Sequence, residues 1–287
     1  MVAACMPGSV TEALEVKKKE RERALFVAGG TDIMPARQTA PVMIYLQGLP
    51  GLSEVSKSKE ILRIGAGCNY AQLIGDERVP QVLRDAMRRI AAPAIRNAGT
   101  LVGNICRASP AGDTLPVLYV LEAVVVAGRL SEDGGICERR TSIENFIQGN
   151  RRTALQADEL VLSVEIPCSS YETMTKMQSC KVGGRNAQAI AKLSFAGICK
   201  VEDNVLQDVR IAFGAVGPTV VRNRELEAKL KGFALAELAA KKDEIRKDYA
   251  ALLQPMDDQR STAAYRRRVC LNLMEDFLDE PHLINTP

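Results

Sequence analysis

Two glycine-centred segments, about seventy residues apart, constrain this chain more than anything else in it. The first reads Phe26-Val27-Ala28-Gly29-Gly30-Thr31-Asp32. The second runs Asn97-Ala98-Gly99-Thr100-Leu101-Val102-Gly103-Asn104-Ile105 and continues into Ser109-Pro110-Ala111-Gly112-Asp113. Each follows an apolar run and offers main chain without side chains, beside short hydroxyl or amide groups. Such a surface admits an anionic group to backbone N–H donors. Taken singly, each segment reads more readily as a tight turn. Neither is a G-x-G-x-x-G fingerprint or a Walker loop, because no Lys-Ser/Thr pair follows.

Taken together, the pair points to one long phosphate-containing ligand held at two places, and flavin adenine dinucleotide, with its pyrophosphate, fits. Asp113 has two readings, as an acceptor for ribose or flavin-chain hydroxyls or as a cap on the helix that follows it. Lys181 reads as a solvated surface lysine, the commoner fate of any lysine, and Arg96 and Arg107 are phosphate counter-charges or surface cations.

Other function classes are excluded by what the chain lacks. Its 38 basic and 35 acidic residues are interleaved, so the net charge of +3 supplies no basic face for nucleic acid. A lone histidine, His282, argues against a Ser-His-Asp or Cys-His hydrolase and against a histidine metal centre. The eight cysteines contain no C-x-x-C pair, which leaves iron–sulfur and structural zinc sites without support and predicts reduced thiols. No stretch reaches the length of a membrane span and no signal-peptide pattern opens the chain, so a cytoplasmic protein is expected.

Periodicity predicts mixed α and β structure. Ser9 and Glu12 form a capping box opening a helix to about residue 19. Strands are expected at 24–28, 43–46, 61–64, 123–127 and 160–166. Helices are expected after an Asn69 cap, over 79–91 and over 114–121. A boundary falls near 168–172, and beyond it lie strands at 173–180, 190–201 and 205–214. Helices at 222–231, 234–249 and 261–278 follow, an order that predicts an α+β unit with helices against its sheet.

At this point the motifs resemble the flavin (medium) subunit of the molybdenum hydroxylases, the xanthine, nicotinate and carbon monoxide dehydrogenase type. The resemblance rests on Ala28-Gly29-Gly30-Thr31-Asp32, Ile95-Arg96-Asn97-Ala98-Gly99-Thr100, Gly103-Asn104-Ile105, Ala108-Ser109-Pro110-Ala111-Gly112-Asp113 and Leu162-Ser163-Val164-Glu165-Ile166-Pro167. In the C-terminal part it rests on the stretch from Lys181 to Ala191, on Ile211 to Pro218 with Arg222 and Glu227, and on Tyr265-Arg266-Arg267. It implies an α+β chain: a two-part α/β FAD-binding domain over residues 1–168, with subdomains of about 1–50 and 51–168, then a C-terminal α+β domain over 169–287 with a small antiparallel sheet.

The resemblance further implies FAD as cofactor. Val27, Ala28, Gly29, Gly30, Thr31, Asp32, Ile33 and Met34, with Thr100, Leu101, Val102, Gly103 and Asn104, would hold the pyrophosphate and adjoining atoms. Asp113 would bind the cofactor chain, Leu162 would line the flavin ring site, Lys181 would reach the ring region, and Ile90 would supply an apolar contact. No catalytic acid–base residue and no metal ligand is implied. The partners implied are a molybdopterin-binding subunit and a 2Fe-2S subunit, with NAD or another acceptor taking the electrons. Val102 departs from the family, which has Gly there; a branched residue adopts positive φ with difficulty, so a different local loop or cofactor approach is expected. Gly184-Arg185-Asn186 stands where paired arginines are usual. A standalone flavin reductase of related fold and a flavin-free scaffolding subunit are the alternatives.

Overall fold

The computed structural model describes residues 2–186 and 188–279; His282 lies outside them. The chain forms two compact units, neither continuous in sequence. One comprises Met1–Val79, Ala91–Ala108 and Ala123–Ile166; the other comprises Pro80–Ile90, Ser109–Glu122 and Pro167–Pro287.

In the first unit, a three-stranded parallel sheet places Val42–Tyr45 between Ala3–Cys5 and Ala24–Val27. The connecting helix Val10–Glu20 starts where the capping rule puts it. Ser9 Oγ accepts from the Glu12 amide at 3.1 Å, and Glu12 Oε2 accepts from the Gly8 amide at 2.6 Å. From its last turn, Lys17 Nζ donates to the Arg21 and Ala24 carbonyls at 2.9 and 2.7 Å, tying the helix to the start of strand Ala24–Val27. A five-stranded sheet orders Val55–Lys57, Ile61–Gly65, Leu160–Pro167, Val124–Leu130 and Ile136–Ser142. Its central strand Leu160–Pro167 is buried through Ile166, the polar Ser163 and Glu165 included.

The second unit is built on an antiparallel sheet in the order Lys176–Val182, Leu193–Glu202, Val205–Gly214, Val221–Arg222. Its core joins Phe195 to Phe213 and Phe277, with ring centroids 5.6 and 5.7 Å apart, and Phe213 to Tyr249 at 6.1 Å. The C-terminal helices Lys242–Leu252 and Ala263–Asp279 supply Tyr249 and Phe277. Two segments from the N-terminal half of the sequence belong to this unit. Helix Gln81–Arg88 buries Val82, Leu83, Ala86 and Met87, and Ser179 Oγ donates to the Val82 carbonyl. Helix Leu115–Val120 buries all six of its residues, so it needs cover on every side, and it lies against strands Leu193–Glu202 and Val205–Gly214.

Asp258 pins the start of the last helix and yields a pH prediction. It accepts from the Arg260 and Ser261 amides at 2.8 and 3.1 Å and pairs with Arg266 at 2.6 Å. Desolvation raises its pKa, but these donors outweigh it and hold the carboxyl at about 2. A depressed carboxyl stabilises the fold fully above its unfolded value of about 3.9 and ceases to do so as pH falls through the folded value. Asp258→Asn is therefore expected to cost about 1 kcal/mol at neutral pH, a figure reduced for solvent screening. In urea unfolding, the gap from wild type should close between about pH 4 and pH 2; a gap constant over that window contradicts the assignment.

Candidate functional site

Strand Ala24–Val27 ends in the buried Val27, and the chain turns at Ala28-Gly29-Gly30. A side chain on Gly29 would collide with the Ala98 carbonyl oxygen and sit 3.0 Å from the Gly99 nitrogen. Gly30 adopts φ +67°, the left-handed region that glycine enters without cost. Gly99 is confined less severely: a Cβ there would lie 3.2 Å from Thr31 Oγ1 and 3.3 Å from the Tyr70 ring. The two glycine segments thus meet, main chain against main chain. The Tyr70 amide donates to the Gly99 carbonyl at 3.0 Å, and Asn69 bridges to Thr100, anchoring the second segment to the start of helix Tyr70–Gly75. Tyr70 and Asn69 carried no sequence signal for this role beyond the Asn69 cap.

From Thr31 onward the first segment coils in tight turns. The Met34 amide donates to the Gly30 carbonyl at 3.0 Å and that of Gln38 to Ile33 at 3.0 Å. The amides of Gly29, Gly30 and Thr31 donate no turn hydrogen bond among the described residues. Arg107 Nε lies 2.8 Å from Asp32 Oδ2, so the one acidic side chain of the loop is balanced by a guanidinium. That pairing leaves bare, half-exposed backbone without net negative charge, a cradle whose chemistry fits a pyrophosphate.

The second segment is not the loop its glycines imply. Thr100 Oγ1 accepts from the Gly103 amide at 3.0 Å and opens helix Leu101–Arg107. Leu101 and Val102 are buried; Gly103 is exposed and Asn104 half-buried. Val102 is not among the residues with positive φ. Its branched side chain fills the core from a helical turn, so it carries no positive-φ strain.

Leu162 occupies a β-bulge. The ladder to strand Val124–Leu130 runs Val161 opposite Ala127 and then Ser163 opposite Val126, leaving Leu162 as the extra residue. Bulges re-aim a side chain, and here Leu162 lies over Gly128, where a Cβ would approach its Cδ1 to 2.6 Å. Its carbonyl accepts from the Ala66 amide at 2.9 Å.

The remaining predicted residues belong to the second unit. Asp113 is no helix cap: its Oδ2 pairs with Lys181 Nζ at 2.6 Å, and each side chain is 11% exposed. Lys181 also donates to the Arg89 carbonyl at 3.1 Å, beside Ile90 at the end of helix Gln81–Arg88. Asp113 Oδ1 is buried without a partner. Burial pushes this carboxyl's pKa up, while the charge and hydrogen bond of Lys181 oppose the rise. A buried acceptor with an open valence is what a cofactor hydroxyl requires.

Elsewhere, burial pushes the thiols of Cys106, Cys199 and Cys270 up to about 12, which makes them unreactive. Among the described residues no cluster of His, Cys, Asp and Glu is placed to hold a metal ion, and no helix is long and apolar enough to cross a membrane.

Residues 1–169 match a family described as the FAD binding domain in molybdopterin dehydrogenase, and residues 178–280 match the CO dehydrogenase flavoprotein C-terminal domain. Caffeine dehydrogenase subunit beta of Pseudomonas sp. (strain CBB1) is 29% identical over 79% of this chain and 77% of its own. The glyceraldehyde dehydrogenase medium chain of Sulfolobus acidocaldarius is 29% identical over 91% of each. The xanthine dehydrogenase FAD-binding subunit of Escherichia coli O157:H7 is 24% identical over 91% of this chain and 89% of its own. Carbon monoxide dehydrogenase from Hydrogenophaga pseudoflava superposes with a TM-score of 0.87 at 24% identity, covering 98% of this chain and 96% of that one. Quinoline 2-oxidoreductase from Pseudomonas putida 86 gives 0.86 at 21%, covering 98% and 97%. At these identities the superpositions establish the fold, α+β with an antiparallel sheet and helices in the C-terminal part.

Proposed function

The chain belongs to the family of FAD-binding subunits of molybdenum hydroxylase-type dehydrogenases, and from that premise we propose that it is the electron-transfer subunit of such a complex. Electrons would arrive from iron–sulfur clusters on a partner subunit, a molybdopterin subunit having oxidised the substrate, and leave for NAD or another acceptor. FAD, when bound, supplies the redox chemistry that joins one-electron donors to a two-electron acceptor, and the chain supplies position and electrostatics.

The observation that carries this reading is the approach of Gly29 to Ala98 and Gly99, which leaves two stretches of bare backbone side by side. We assign the pyrophosphate and neighbouring atoms to the segments Val27 to Met34 and Thr100 to Asn104. Leu162 and Lys181 are assigned to the ring region, Ile90 to an apolar contact, and Asp113 to a hydroxyl of the cofactor chain. Arg107 keeps Asp32 from repelling the phosphates. No residue is asked to move a proton, in keeping with a subunit that positions a redox group.

The test is composition. The chain purified with its native partners should carry about one FAD per copy, with molybdenum and iron in the same complex. Flavin without molybdenum or iron would favour a standalone reductase, and a flavin-free complex would reduce the chain to a scaffold.

A further inference from the structure

In the second unit, Asp113 Oδ1 and Ser194 Oγ are among the buried side-chain oxygens without a hydrogen-bond partner, alongside Asp208 Oδ1 and Tyr249 Oη. Ser194 is 3% exposed. An unmade hydrogen bond at such a site costs more than a made one returns, so each such oxygen calls for a partner.

The sheet register places them on one face. Ser194 stands opposite Lys181 on one side and opposite Gly214 on the other. Directly opposed residues of antiparallel strands project to the same side of the sheet. Lys181 reaches from that face to Asp113. Gly214 has no side chain because there is no room for one: a Cβ would overlap Ser194 Oγ and lie 3.0 Å from Pro116 Cγ and 3.5 Å from the Pro110 carbonyl. The Ala215 amide donates to that same carbonyl at 2.8 Å. The segment that carries Asp113 is therefore laid on the face that carries Ser194 and Lys181.

We infer that Ser194 Oγ and Asp113 Oδ1 form a subsite for a single ligand hydroxyl, with Ser194 a cofactor-chain contact that no sequence motif indicated. The chemistry selects the group. Lys181 is already engaged by Asp113 Oδ2 and the Arg89 carbonyl. What is left open is one carboxylate acceptor and one hydroxyl, and an O–H group that donates to the first and accepts from the second completes both. A phosphate has no proton to give the carboxylate and is repelled by it. A second ammonium is repelled by Lys181. The subsite therefore takes a neutral polyol hydroxyl, and a water molecule offers the same chemistry. The assignment to a cofactor hydroxyl rests on the FAD reading above.

A double-mutant cycle on the full chain tests it, with Ser194→Ala and Asp113→Asn alone and combined. The first readout is FAD binding to flavin-stripped protein, followed by flavin fluorescence. Each single change should weaken binding about five- to thirtyfold, and the double should be little worse than the poorer single, because one shared hydroxyl is lost once. The second readout is urea unfolding of the flavin-free protein. Coupling confined to the FAD titration identifies the cofactor hydroxyl; coupling in urea as well identifies a water in the same subsite. Effects that multiply in both readouts, or a Ser194→Ala protein equal to wild type in both, overturn the inference. If wild type binds no FAD, the functional reading fails, and the urea cycle alone still decides the subsite.

Discussion

Gly29→Ala is expected to lower the stability of the protein by about 3 kcal/mol and to reduce FAD retention about tenfold or more. The added methyl would meet a main-chain carbonyl, that of Ala98, and the Gly99 nitrogen at 3.0 Å. Neither can rotate away as a side chain can. The two glycine segments must part, and the second is tied down by the Tyr70–Gly99 hydrogen bond and the Asn69–Thr100 bridge, so it cannot shift without straining both. Gly30→Ala makes an instructive comparison. Its Cβ would meet Met34 Cγ at 3.3 Å, the flexible part of an exposed side chain, so its cost is mainly that of holding φ +67°. That cost is about 1 kcal/mol. Gly75→Ala is the control: nothing lies within 4 Å of a Cβ at this helical position, and the change should be neutral or slightly stabilising. Urea midpoints and flavin absorbance of the three purified variants measure the series. A Gly29→Ala protein with wild-type stability and full flavin would mean that the segments are not packed as described.

The parts of this fold that the sequence discloses are those set by neighbours along the chain. Ser9 and Glu12 mark a helix start, and Asn69 another, because a cap is a bond across three residues. Strands Leu160–Pro167 and Val205–Gly214 are legible as long apolar or alternating runs, within a residue or two. Strand Ile136–Ser142 is not legible, since Cys137-Glu138-Arg139-Arg140 shows no apolar period. It exists because it pairs with Val124–Leu130, and its charges are met by Glu159 and Glu165 on buried positions elsewhere. Glycine misleads at Gly103: the residue looks like loop, yet Thr100 caps its amide and the chain continues as helix. The site shows the same division. The residue types of the cradle are visible in one dimension, whereas the contact of Gly29 with Ala98, the bulge at Leu162 and the orphaned hydroxyl of Ser194 arise only from long-range packing.

The same long-range packing makes Glu227 a sensitive charged position of the second unit. Its carboxylate holds Arg222 through two hydrogen bonds of 2.9 Å and accepts from the Ile211 amide at 2.9 Å; the two side chains are 5% and 3% exposed. Arg222 in turn donates to the Tyr119 carbonyl at 2.7 Å and pairs with Glu122 at 2.7 Å. Burial alone would lower the pKa of this guanidinium, but the hydrogen bonds and charges of Glu227 and Glu122 outweigh it and raise the value. Removing one member of a buried pair strands the other, at about 3–5 kcal/mol. Glu227→Ala is accordingly expected to cost about that much, and Glu227→Gln, which keeps the shape and loses the charge, about 1.5–3 kcal/mol. The effect should not stop at stability. Tyr119 lies on helix Leu115–Val120, which begins two residues after Asp113, so a loosened Arg222 frees the element that presents Asp113 to Lys181. Urea unfolding of the two variants gives the energies, and FAD titration should show weaker binding for Glu227→Ala even under conditions where it is fully folded. A Glu227→Ala protein within about 1 kcal/mol of wild type would show that Glu122 alone suffices to hold Arg222 in the interior.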